Sequence, residues 1–195
     1  MNFLEHVPKG FELRPEQKYI LEHIGDNWED YDTFIIEAPV GVGKSLVAMT
    51  IGNALRSAHV LTPKISLQSQ YHNAFPDIAS VVMGRKNYPC LYEKPELTKS
   101  VVARIKKGEP PAKFFGMTCA SEKRHCASSY AAKMECQEKT GTLCPFDLAI
   151  EVAQESPVVI HNMAGFVYHA TLHGKFDRRK CLIVDEAHSL IDVLR

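Results

Sequence analysis

Apolar positions along the chain recur with two spacings. Between Phe11 and Ile24 they fall at 13, 20, 21 and 24 behind Arg14 and Pro15, which predicts a helix with proline in its first turn, closed by Gly25 and Asp26. Thr33-Phe34-Ile35-Ile36 is a short β-rich run that stops at a glycine-containing loop, 38–43. Lys44 to Ala58 returns to helical spacing, apolar at 46, 47, 51, 54 and 55. His59-Val60-Leu61 reads as a buried strand ending at Thr62-Pro63, residues 65–75 as a helix, and Val81-Val82-Met83 as a third short strand. Further on come a helix at about Pro145 to Glu155, a strand at Val158-Val159-Ile160, and a strongly apolar strand, Cys181-Leu182-Ile183-Val184. Strands alternating with helices predict an α/β fold with a parallel sheet.

The pattern degrades between Gly84 and Cys144, where prolines stand at 89, 95, 110 and 111 and a Lys-Gly-Glu-Pro-Pro break interrupts scattered charge. This reads as an insertion with little core of its own, a segment that a metal can hold together. A length of 195 residues with 45% hydrophobic content suits one domain carrying such an insertion. No apolar run approaches the roughly 18 to 20 residues that span a bilayer, and MNFLEHVPKG lacks the profile of a secretory signal. The expectation is a soluble intracellular protein without a membrane partner, cytoplasmic or nucleoid-associated.

Formal net charge is zero, but the insertion holds twelve Lys or Arg against six Glu and no Asp, a net of +6, leaving −6 on the remainder. Such a segment is either a solvated face or a nucleic-acid contact surface. Five of the six cysteines, at 90, 119, 126, 136 and 144, fall in the same window. In a reducing compartment grouped cysteines point to metal rather than to bridges. Cys181, inside an apolar strand, reads as a small core residue.

Two short stretches carry recognisable chemistry. In Ala38-Pro39-Val40-Gly41-Val42-Gly43-Lys44-Ser45, Gly41 and Gly43 let backbone amides converge on phosphate oxygens, and the following helix turns its positive N-terminus to the same anion. Lys44 would neutralise terminal phosphates and the Ser45 hydroxyl would ligate magnesium. The general nucleotide-loop pattern has glycine where this chain has Ala38. The second stretch, Asp185-Glu186-Ala187-His188, follows the most apolar strand, so its carboxylates should emerge at the carboxyl edge of the sheet. Asp185 is expected to hold magnesium, directly or through water, and Glu186 to orient and deprotonate the attacking water.

The pairing of APVGVGKS with DEAH resembles motifs I and II of superfamily 2 helicases, in which alanine at the first loop position is normal. Gly84-Arg85-Lys86-Asn87-Tyr88-Pro89-Cys90 resembles the lead-in to the iron–sulfur domain of the XPD and DinG-like helicases, and Cys144-Pro145-Phe146 resembles its exit. The likeness runs over essentially the whole chain. It implies an α/β, RecA-like P-loop parallel sheet with an inserted cysteine-rich, iron–sulfur subdomain. Residues 1–83 would be the first part of motor domain 1, 84–144 the insertion, and 145–195 the remainder with the DEAH box. It further implies that Gln17, within Arg14-Pro15-Glu16-Gln17, contacts the adenine. Thr62 and Pro63 would touch the DNA backbone, and Val158 to Asn162 would lead back into the motor.

Four thiolates accept either a [4Fe–4S] cluster or a tetrahedral zinc. The lack of a Cys-x-x-Cys pair and the long irregular gaps resemble the helicase cluster. Cys90 and Cys144 are fixed by their flanks, while Cys119, Cys126 and Cys136 compete for two middle positions. The resemblance implies an ATP-dependent DNA helicase that uses ATP and Mg2+ on single-stranded or forked DNA. The competing function is a non-catalytic or regulatory nucleic-acid-binding module that keeps the motor fold. The sequence includes no second motor domain, so the 195-residue chain is expected to hydrolyse nucleotide slowly and not to unwind DNA, unless a second chain supplies the missing half.

Overall fold

The structure, a computed structural model, describes residues 1–113, 116–120, 130–167 and 178–194. Its helices are α1 (Pro15–Asp26), α2 (Lys44–Leu55), α3 (Ile65–Ala74), α4 (Thr98–Lys106), α5 (Tyr130–Thr140), α6 (Pro145–Glu155), α7 (Met163–Phe166) and α8 (Leu190–Leu194). Its strands are β1 (Ala58–Thr62), β2 (Ala79–Val82), β3 (Val158–Asn162) and β4 (Cys181–Val184). They form one parallel sheet in the order β2-β3-β1-β4, with Ala58 opposite both Val158 and Cys181. Parallel strands need crossovers, and helices supply them, so the apolar runs of β1, β2 and β3 are buried on both faces.

Side chains alternate across a strand, which fixes what each face meets. Gly52 of α2 lies directly against Val158 and Ala58, so close that a side chain there would collide with Val158. His59 and His161 lie on the opposite face, where Phe166 of α7 packs on both rings. On its outer side α2 meets α1, and Leu21, Ile24, Val47 and Ile51 close a second cluster around Phe3. Proline inside the first turn starts α1, as the sequence predicted, and Gln17 completes its capping box by accepting the Arg14 N–H.

Four expectations need correction. The helix expected over Lys44 to Ala58 ends at Leu55, because Arg56 turns into the left-handed region and donates back to the Gly52 carbonyl; Ala58 opens β1 instead. Thr33-Phe34-Ile35-Ile36 forms no strand: Ile35 is 94% exposed. A strand needs a hydrogen-bonded neighbour, and the described β4, whose one partner is β1, offers none to this segment. β4 itself is only half-buried, with Leu182 53% exposed, so Cys181 sits at the margin of the core. The insertion is also less independent than its composition suggests. Tyr88, Leu91, Val101 and Ile105 all join the main core, with α4 packed on α6. No helix among the described residues is long and apolar enough to cross a membrane.

Candidate nucleotide site and cysteine lobe

The carboxyl ends of β1, β3 and β4 lie at one edge of the sheet, and the sequence-predicted residues gather there. Asp185 continues the β4 ladder by donating its N–H to the Leu61 carbonyl at 2.9 Å. The loop before α2 turns through two left-handed glycines, Gly41 at φ 89° and Gly43 at φ 87°, the latter acting as the N-cap of α2. Val40 at the loop tip is 99% exposed, and Pro39 and Gly41 beside it are exposed too. The loop is therefore an open, amide-lined turn at a helix N-terminus, the geometry that attracts an anion. The Lys44 ammonium donates to the Ala38 carbonyl at 2.9 Å, so it is already held over the loop.

The loop is braced from behind by α1. The Gln17 side-chain nitrogen donates to the carbonyls of Val42 (2.9 Å) and Gly43 (3.2 Å) while its oxygen accepts from Arg14. The Arg14 guanidinium reaches the Gly41 carbonyl at 2.6 Å. At 3% exposure, Gln17 has both ends of its amide engaged within the protein. Gln17, which the resemblance implies contacts the adenine, has its amide on the phosphate loop in this structure. Arg14 is a second support, which the sequence reading used only as part of a motif.

The two stretches meet through a residue that no motif singled out. The Tyr71 hydroxyl of α3 donates to Asp185 Oδ2 at 3.0 Å, with the Ser45 side chain close by. Burial, and next the Asp185 carboxylate, push the Tyr71 hydroxyl well above the usual phenol range, so it stays a donor. Glu186 occupies the left-handed region at φ 53°, ψ 50°, and its carboxylate lies 3.5 Å from His188 Nδ1 on an exposed surface. Thr62 is buried, its hydroxyl turned to the carbonyls of Lys64 and His161. The Pro63 carbonyl accepts from Asn162 at 3.0 Å, and beyond it Lys64, Ile65 and Ser66 are exposed.

The cysteine-rich lobe is tied to the sheet at its two ends. Arg85 lies over the Phe146 ring, 4.3 Å from its centre, and pairs with Asp147 at 3.2 Å; Tyr88 meets Phe146 edge-on. An antiparallel bridge joins Pro89 to Thr118, so Cys90 and Cys119 come together although 29 positions apart. Cys136 arrives from α5, and Cys144 from the N-cap of α6. All four are buried free thiols lining one cavity of about 10 Å³, with Lys133 on its wall. That is room for about one water. The sulfurs of Cys119 and Cys144 lie 3.4 Å apart. Their shared hydrogen bond raises Cys119 and pulls Cys144 down to about 7, helped by backbone N–H groups at the start of α6. Among the described residues no three His, Cys, Asp or Glu side chains converge closely enough to hold a metal ion as they stand. Cys126 lies outside the described residues.

A parallel sheet, a glycine-bearing loop at a helix N-terminus and an acidic box at the adjacent strand end define a RecA-like, helicase-type motor domain. The chain belongs to the family described as type III restriction enzyme, res subunit, which matches residues 10–193. Membership makes it a helicase-like, ATP-binding domain of the hydrolase class, built for a nucleic-acid motor. No curated protein matches the chain.

Proposed function

We propose that the chain is the nucleotide-binding half of an ATP-driven DNA helicase of the iron–sulfur type, acting on single-stranded or forked DNA. The observation that carries this reading is the meeting of Ser45 and Asp185 around one tyrosine hydroxyl at the carboxyl edge of the sheet. In the proposed site the backbone from Ala38 through Ser45, with Pro39, Val40, Gly41, Val42 and Gly43 between them, surrounds the nucleotide phosphates, and Lys44 exchanges the Ala38 carbonyl for their charge. Ser45 and Asp185 would hold magnesium, whose charge offsets that of the phosphate oxygens. Glu186 takes the proton of the attacking water. The exposed start of α3 after Pro63 offers backbone amides to the nucleic-acid strand, while Thr62 supports that turn from inside.

In this reading residues 84–144 form a lobe beside the strand path, separating 1–83 from 145–195 of the motor. Cys90, Cys119, Cys136 and Cys144 are the proposed ligands of a [4Fe–4S] cluster, zinc being the competing occupant. Their chemistry fits: four buried thiols without disulfides, one of them readily ionised. The cavity of about 10 Å³ is smaller than a cluster, so the lobe would have to spread to admit one. ATPase assays with and without single-stranded DNA test the motor reading. DNA-stimulated turnover that Lys44→Ala abolishes and Glu186→Gln lowers by about 10²- to 10⁴-fold supports it. DNA binding indifferent to nucleotide supports the non-catalytic module instead.

A further inference from the structure

Tyr71 is 3% exposed, yet its hydroxyl reaches the two side chains assigned to magnesium. A buried hydroxyl must find partners or cost about 1–3 kcal/mol, and a phenylalanine would fill the same space without that demand. The position of those partners is informative. Asp185 has two carboxylate oxygens; the tyrosine holds Oδ2 and leaves Oδ1 for a cation. Ser45 comes from the first turn of α2 and Asp185 from the end of β4, two residues separated by 140 positions, and Tyr71 holds the second with the first close by.

The helix that carries Tyr71 is fastened to the sheet by its own side chains. The Gln68 amide donates to the carbonyls of Val82 and Ile160, and His72 Nδ1 to that of Ala79. Phe75, at the end of α3, stacks on Phe11 at 4.9 Å. The first turn of α3, by contrast, is exposed directly after Pro63. A strand contact at that turn would act on a rigid rod whose far side grips the magnesium carboxylate.

We infer that Tyr71 is a positioning residue, which sets the orientation of Asp185 and Ser45 for magnesium and links the exposed start of α3 to the nucleotide site. The inference rests on the proposed nucleotide reading. Tyr71→Phe in the 195-residue chain tests it, with fluorescent ADP titrated in EDTA and at graded magnesium. The magnesium concentration for half-maximal tightening rises about tenfold, the loss expected for a hydrogen bond to a charged group. ADP affinity in EDTA and the thermal midpoint stay unchanged. In an Asp185→Asn background the same substitution has no further effect on the magnesium requirement, which a packing role would not predict. Equal magnesium requirements in wild type and Tyr71→Phe, or parallel losses with and without the metal, overturn the inference alone. A wild-type chain that binds no ADP under either condition overturns the nucleotide reading with it.

Discussion

Asp185 follows a strand of the parallel sheet, and Ser45 and Tyr71 stand on helices packed against that sheet, whereas Cys90, Cys119, Cys136 and Cys144 come from a bridge between loops, a helix face and a helix cap. In the first region the backbone ladder fixes Asp185, and the side-chain bonds of Gln68 and His72 fix the helix of Tyr71, before any ligand arrives. In the second, cysteines from three parts of the lobe close a cavity of about 10 Å³, and one sulfur rests against another. Preorganisation is thus unevenly distributed. The candidate nucleotide edge is built by folding alone; the lobe has its ends fastened by Arg85, Tyr88 and Phe146, and in the proposed reading its centre would depend on what the cysteines bind.

The largest expected effect separates the two regions. Lys44→Ala lowers ADP affinity in magnesium by about a hundredfold while leaving metal content intact, since it removes charged hydrogen bonds worth about 1.5–3 kcal/mol or more. Cys136→Ser does the reverse, losing the bound metal with ADP affinity held within about threefold. Fluorescence titration and elemental analysis on the same preparations read both; loss of nucleotide binding in the cysteine variant would erase the distinction.

Phe146→Ala attacks the seam, because the ring carries Arg85 and Tyr88 on one side and the α6 core on the other. A loss of about 3–5 kcal/mol in urea unfolding is expected, the usual cost of truncating a fully buried aromatic. A loss below about 1 kcal/mol would mean that the lobe is not fastened there. Gly43→Ala should cost about 1–3 kcal/mol, combining left-handed backbone strain with displacement of Gln17 from the loop. Its unfolding midpoint measures how firmly α1 braces the phosphate loop.

The place of the candidate nucleotide edge was legible in the sequence because the expected chemistry requires particular residue types in a contiguous stretch. Gly41, Gly43, Lys44, Asp185 and Glu186 all lie where spacing put them. Contacts assembled across distance were not legible. Tyr71 looked like one aromatic in an ordinary helix, since nothing local records that residues 45, 71 and 185 meet. The positions of the middle cysteines were equally hidden; the structure brings Cys119, through Pro89 pairing with Thr118, and Cys136 to the cavity, while Cys126 lies outside the described residues. Thr33 to Ile36 shows the opposite failure. Its composition suits a strand, but a strand is a relation between two segments, and the described sheet supplies no second one.

Glu186 stands at φ 53°, a conformation that a side chain disfavours by about 1 kcal/mol or more and that glycine adopts freely. Selection for stability and selection for chemistry therefore ask for different residues at this position. Glu186→Gly should be up to about 1 kcal/mol more stable than wild type and, on the proposed reading, should lose ATP turnover about as far as Glu186→Gln. A directed-evolution campaign scored on heat resistance alone would drift toward that glycine, and would trade the motor for a sturdier shell.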